Sequence, residues 1–110
     1  MKQQIDEAMN VQINQKIIEY FKDKPAVKKV YIFGSYARNE ETPESDINIL
    51  TEIDFKNNPF FTGFDFGGML EDLKEILNKK VMLLSKDGLS ESMRLHIEKD
   101  LFLILEKWYI

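Results

Sequence analysis

Gly34-Ser35-Tyr36-Ala37-Arg38-Asn39-Glu40-Glu41-Thr42-Pro43-Glu44-Ser45-Asp46-Ile47-Asn48-Ile49-Leu50 is the stretch on which the reading of this chain turns. It follows Val30-Tyr31-Ile32-Phe33. Branched and aromatic residues suit a pleated strand, so Val27 to Phe33 reads as one. Gly34 breaks it. Lacking a Cβ, glycine lets the backbone turn sharply and come close to a ligand. Ser35 reads as the N-cap of a short helical turn through Tyr36, Ala37 and Arg38. Backbone N–H groups at such a start, here Gly34, Ser35 and Tyr36, favour phosphate. The Ser35 hydroxyl adds a donor, and Arg38 is placed to meet a phosphate or an acid. A Gly-Ser turn alone is more often a plain cap at a strand end.

Its downstream partner changes that balance. After a polar loop containing Pro43, a second strand is predicted from Asp46 to Ile53. Residues two apart on a strand share a face. Asp46 and Asn48 therefore point one way, and Ile47 and Ile49 the other. A phosphate-binding turn facing a pair of polar residues makes a phosphate cradle opposite a candidate metal site. Magnesium chemistry asks for a carboxylate at the second of these positions, and an asparagine stands there.

The rest of the chain is predicted as follows. Ile5, Met9, Ile13, Ile17 and Phe21, with Ala8 and Ile18 beside them, recur at helical spacing, and Asp23-Lys24-Pro25 ends that helix. Leu70, Leu73, Ile76 and Leu77, preceded by Met69, predict a helix from about Phe64 to Asn78, weakened in its first turns by Gly67-Gly68. Lys80 to Leu84 reads as a third strand. A helix starting near Ser90 should run to about Lys99. Leu101 to Leu105 is strand or helical extension; periodicity does not separate the two. Helices covering one face of three or four strands give an α/β (α+β) sandwich, a single domain over residues 1–110. The two central strands are expected side by side, with the Gly-Ser turn and Asp46 near one edge of the sheet.

At this point the run from Phe33 to Leu50 resembles the signature of the minimal nucleotidyltransferases of the DNA polymerase β superfamily. That pattern is Gly-Ser, ten residues, then Asp-x-Asp, often with Ala-Arg after the Gly-Ser and Ser before the first Asp. Gly34, Ser35, Ala37, Arg38, Ser45 and Asp46 match it. The segment Asn78 to Ser85 resembles the family's third strand, and Gly88 to Leu105 its closing helix and tail, so the likeness covers nearly the whole chain. The resemblance implies a small mixed sheet with helices packed on it. It implies transfer of a nucleotidyl group, AMP above all, from ATP or another nucleoside triphosphate to a protein or small acceptor. It also implies magnesium held by three carboxylates, and an antitoxin whose partner is a helical HEPN-type toxin. Carried onto this sequence, the three acidic positions are Asp46, Asn48 and Met82. Asn48 offers only a neutral carbonyl oxygen. The Met82 thioether does not suit magnesium and cannot act as a base. Glu44 is the nearest replacement acid, Asp87 a more remote one, and Glu52 lies too far along the strand. Weak or absent transfer is expected, and the alternative reading is a degenerate module that binds nucleotide or partner.

Bulk properties narrow the field. The 110 residues carry 15 basic and 19 acidic side chains, a net charge of −4, which argues against broad nucleic-acid binding. Without cysteine, thiol and disulfide chemistry is excluded. The single His96 reads as structural. Phe60, Phe61, Phe64 and Phe66 are expected to fold onto the core. The apolar end, with Trp108 and Tyr109, is expected to pack on the first helix or form an interface. Homo- and hetero-oligomers both stay open. No apolar run is long enough for a membrane span, and the opening residues lack a signal peptide's apolar core, so a cytoplasmic protein is expected.

Overall fold

The computed structural model describes residues 2–107, with side chains for residues 11–107. Helix α1 spans Lys2–Lys22, strand β1 Val27–Phe33 and strand β2 Ile47–Ile53. Helix α2 (Gly63–Leu77) and strand β3 (Val81–Ser85) follow. A 3-10 turn, Lys86–Gly88, leads to helix α3 (Glu91–Ile97), then a second 3-10 turn, Glu98–Asp100, and strand β4 (Phe102–Glu106). The sheet order is β3-β2-β1-β4. β1 runs antiparallel to both β2 and β4, and β2 runs parallel to β3. A parallel pair needs a crossover connection, and α2 supplies it. The ambiguous segment after Leu101 is therefore a strand: the open side of β1 supplies its hydrogen-bond partners.

Strand parity divides the core. Ile47, Ile49 and Ile53 of β2 pack with Val27, Val30 and Ile32 of β1 against Ile17 and Phe21 of α1 and Met69, Leu73 and Leu77 of α2. Phe33 and Leu50 point to the other face and meet Ile97 of α3, with Tyr31, Leu84, Leu89 and Leu101 around them. The expectation that helices cover one face is thus corrected. Alternation in β1 and β2 leaves apolar residues on both sides, and α3 covers part of the second. The α1 stripe is confirmed at Ile13, Ile17 and Phe21; the side chains of Ile5, Ala8 and Met9 lie outside the described residues. In α2 the buried positions are Met69, Leu73 and Leu77, whereas Ile76 is exposed.

Local signals account for the boundaries. The Thr62 N–H and hydroxyl both donate to the Asp65 carboxylate, at 2.9 and 3.2 Å, a capping interaction that starts α2 ahead of Gly67-Gly68. Asn78 ends α2 in the left-handed region at φ 51°. The aromatic cluster is only half folded in. Phe61 and Phe66 pack on the core, but Phe60 and Phe64 are 91% and 90% exposed. Trp108, Tyr109 and Ile110 lie outside the described residues. Among the described residues no helix is long and apolar enough to cross a membrane.

Candidate nucleotide site

β1 ends in a tight turn that opens on Gly34 at φ +79°. Its bonds run from the Arg38 N–H to the Gly34 carbonyl (3.1 Å) and from the Glu40 N–H to the Ser35 carbonyl (2.8 Å). The turn therefore starts at Gly34, one residue before the expected cap, because glycine accepts a left-handed φ without a Cβ penalty. A second reason for glycine lies across the sheet. A Cβ built on Gly34 would stand 2.4 Å from Nδ2 of Asn48. The turn and the second position of the Asp-x-Asp pattern are thus in direct contact, and Phe33 and Asn48 are register partners.

Asp46 stands exposed immediately before β2. The loop leading to it is held by its own side chains. The Thr42 N–H donates to the Ser45 hydroxyl (2.8 Å), and the Ser45 N–H returns a bond to the Thr42 carbonyl (3.0 Å). Ser45 thereby fixes the approach to Asp46. The turn and Asp46 sit together at one end of the two central strands, which are side by side as expected. Connected antiparallel neighbours put both motifs at the same strand ends.

Asn48 and Met82 are register partners on β2 and β3. Both occupy the face turned away from α1 and α2, and Met82 is exposed. This donor set does not suit magnesium. One carboxylate, one neutral amide and one thioether do not make the hard-oxygen cage that it takes. Among the described residues no three His, Cys, Asp or Glu side chains converge as a metal group. Glu44 lines a neighbouring groove. Glu52 shares the face but is engaged by Lys28, Lys29 and Lys86 at 3.6, 3.9 and 3.9 Å. Asp87 sits in the 3-10 turn beyond β3.

Arg38 is already occupied. Its guanidinium donates to Asp100 at 2.6 Å and to Glu40 at 3.3 Å. Asp100 foremost, then Glu40, lifts its pKa further above the usual arginine value. Arg38 thus ties the turn to the segment between α3 and β4. His96 is exposed on α3.

Asp46 borders a groove of about 600 Å³ lined by Lys74, Asn78, Lys79, Lys80 and Val81. The sequence reading passed over these lysines. One signal was available: Lys80 has the parity of Met82. The Arg38–Asp100 link spans 62 positions and has no local signature. A separate cleft of about 310 Å³, with Tyr20, Phe61, Phe64 and Asp72 in its wall, lies by the start of β1, away from this site.

The family model described as polymerase beta, nucleotidyltransferase, matches residues 15–108. Two proteins of Methanocaldococcus jannaschii, each named "Putative protein adenylyltransferase", are 39% and 40% identical, each over 84% of this chain and over 92% and 91% of their own lengths. A chain of a toxin–antitoxin crystal structure with AMP-PNP superposes with TM-score 0.72 at 21% identity, over 86% of this chain and 73% of its own. A chain from a complex of tri-AMPylated Shewanella oneidensis HEPN toxin with MNT antitoxin gives 0.68 at 19% identity, over 89% and 73%. By the family model that matches residues 15–108 and by these relatives, this chain belongs to the polymerase β nucleotidyltransferase family.

Proposed function

We propose that this protein is a degenerate nucleotidyltransferase that holds a nucleoside triphosphate by its phosphates and docks on a helical, HEPN-type protein, with little transfer of AMP. The observation that carries the reading is the pairing of Asn48 with Met82 across β2 and β3. At that pair two of the three expected negative charges are missing. A pair of opposite unit charges about 4 Å apart is worth about 4 kcal/mol at an effective dielectric of about 20. Losing two carboxylates removes most of what would balance divalent cations on a triphosphate. The Met82 thioether also leaves no base for an incoming hydroxyl. What stays intact is the Gly34-Ser35 turn and its contact with Asn48. The fold shared with chains of toxin–antitoxin complexes supports the partner.

The names of the relatives at 39% and 40% identity favour a second reading. In it, AMP passes to a protein acceptor, with Asp46 as the surviving acid. The separating experiment is transfer of labelled AMP from ATP, with magnesium, to the candidate helical partner and to the protein itself. The wild type is expected to transfer little, and Asn48→Asp with Met82→Asp to transfer more. Robust wild-type transfer that Asp46→Ala abolishes would overturn the degenerate reading in favour of the second.

A further inference from the structure

The groove beside Asp46 has a chemical character of its own. In the parallel register Ile47 faces Val81, and the Ile47 N–H donates to the Lys80 carbonyl at 2.9 Å. Lys80 therefore stands beside Asp46 as Met82 stands beside Asn48. Asn78, in the left-handed conformation, turns the chain so that Lys79 and Lys80 follow the end of α2 directly. Those two lysines, with Asn78, also line a second hollow walled by Pro43, Glu44 and Ser45. The trough beside Asp46, with Lys74 of α2 in its wall, thus shares Asn78, Lys79 and Lys80 with the hollow at the loop before it.

Several cations of this acidic chain are engaged elsewhere. Lys28, Lys29 and Lys86 share Glu52, Lys74 pairs with Glu71, and Arg38 with Asp100. Lys107 is bound to backbone carbonyls. Lys79 and Lys80 make no ion pair among the described residues, although Asp46 lines the same groove and Glu44 the neighbouring one. Two lysines without an ion pair, lining a groove of about 600 Å³, suit a small, strongly charged anion.

We propose that Lys79 and Lys80, flanked by Lys74, form a polyphosphate site that receives the phosphate tail of a nucleoside triphosphate beside Asp46. This rests on the nucleotide-binding reading above and gives it a location and a charge source. The ammonium groups supply neutralisation that an intact acid set would obtain through metal ions, so binding should not need a divalent cation.

The test is calorimetric titration of the full chain with sodium tripolyphosphate, orthophosphate and ATP, each without magnesium. Lys79→Gln with Lys80→Gln is compared with a control pair of equal charge change, Lys16→Gln with Lys56→Gln. Tripolyphosphate and ATP should bind more tightly than orthophosphate and weaken as salt rises. Both should lose about tenfold in the Lys79/Lys80 variant and little in the control. Circular dichroism confirms that both variants fold. If ATP binds equally well to wild type and the Lys79/Lys80 variant, the trough is not the phosphate site, while nucleotide binding stands. If tripolyphosphate and ATP both fail to bind the wild type, both readings fall. If an oligouridylate binds through these lysines and tripolyphosphate does not, the trough is a nucleic-acid surface and the proposal is overturned.

Discussion

Replacing Gly34 by alanine probes the contact that joins the two halves of the site. Two costs add. The first is conformational: at φ +79° a residue with a Cβ pays roughly 1–2 kcal/mol. The second is steric: the new Cβ would stand 2.4 Å from Nδ2 of Asn48, a separation that real Cβ atoms do not tolerate. The Asn48 side chain is flexible and can rotate away, at the cost of an off-rotamer χ of about 0.5–1.5 kcal/mol. Alanine returns roughly 0.5 kcal/mol by restricting the unfolded chain. The net is a destabilisation of about 2 kcal/mol, or about 8 °C in melting temperature for a domain of this size. The steric part should vanish when Asn48 is cut back. Urea unfolding of Gly34→Ala, Asn48→Ala and the double variant forms a closed cycle. The double variant should be more stable than the sum of the single losses by roughly 1 kcal/mol. A Gly34→Ala loss below about 0.5 kcal/mol, or a cycle additive within about 0.3 kcal/mol, would refute the contact.

Other outcomes follow from single interactions. The Lys107 ammonium donates to the carbonyls of Phe21 and Lys24 at 2.6 and 2.7 Å, closing the end of α1. Lys107→Met should cost about 2 kcal/mol in urea unfolding, and an unchanged midpoint would show the link to be idle. Asp54 is buried, and the side-chain amide of Asn57, at 2.7 Å, holds its carboxyl below the ordinary carboxylate range. A depressed acid contributes stability that is complete above its unfolded pKa, near 3.8, and is lost as pH falls through the folded value. Asn57→Ala should therefore raise the Asp54 pKa in a carboxyl-carbon NMR titration and move acid unfolding to higher pH. A Cβ at Gly67 in α2 meets nothing within 4 Å, so Gly67→Ala should stabilise the protein by about 1 kcal/mol, read as a higher melting temperature.

Short-range patterns made much of this molecule legible. Val27 to Phe33 is a strand with the bounds that its branched and aromatic residues indicate. Gly34 is positioned by its own φ, and the parity of Asp46 and Asn48 follows from a pleat of period two. That Asn48 carries an amide and Met82 a thioether is read from the residues themselves, because a side chain's donor chemistry does not depend on its surroundings. Long-range pairings were not readable. Nothing local tells Arg38 that Asp100, on a segment far along the chain, will take its guanidinium. Nothing local tells the segment after Leu101 that β1 has an open side. Lys79 and Lys80 read as a polar helix end until the parallel register of β2 and β3 set them beside Asp46. Side-chain chemistry, turn conformation and periodicity belong to the sequence. Which charges meet, which strand edge is filled and which lysines stay unpaired depend on distances that exist only after the chain has closed on itself.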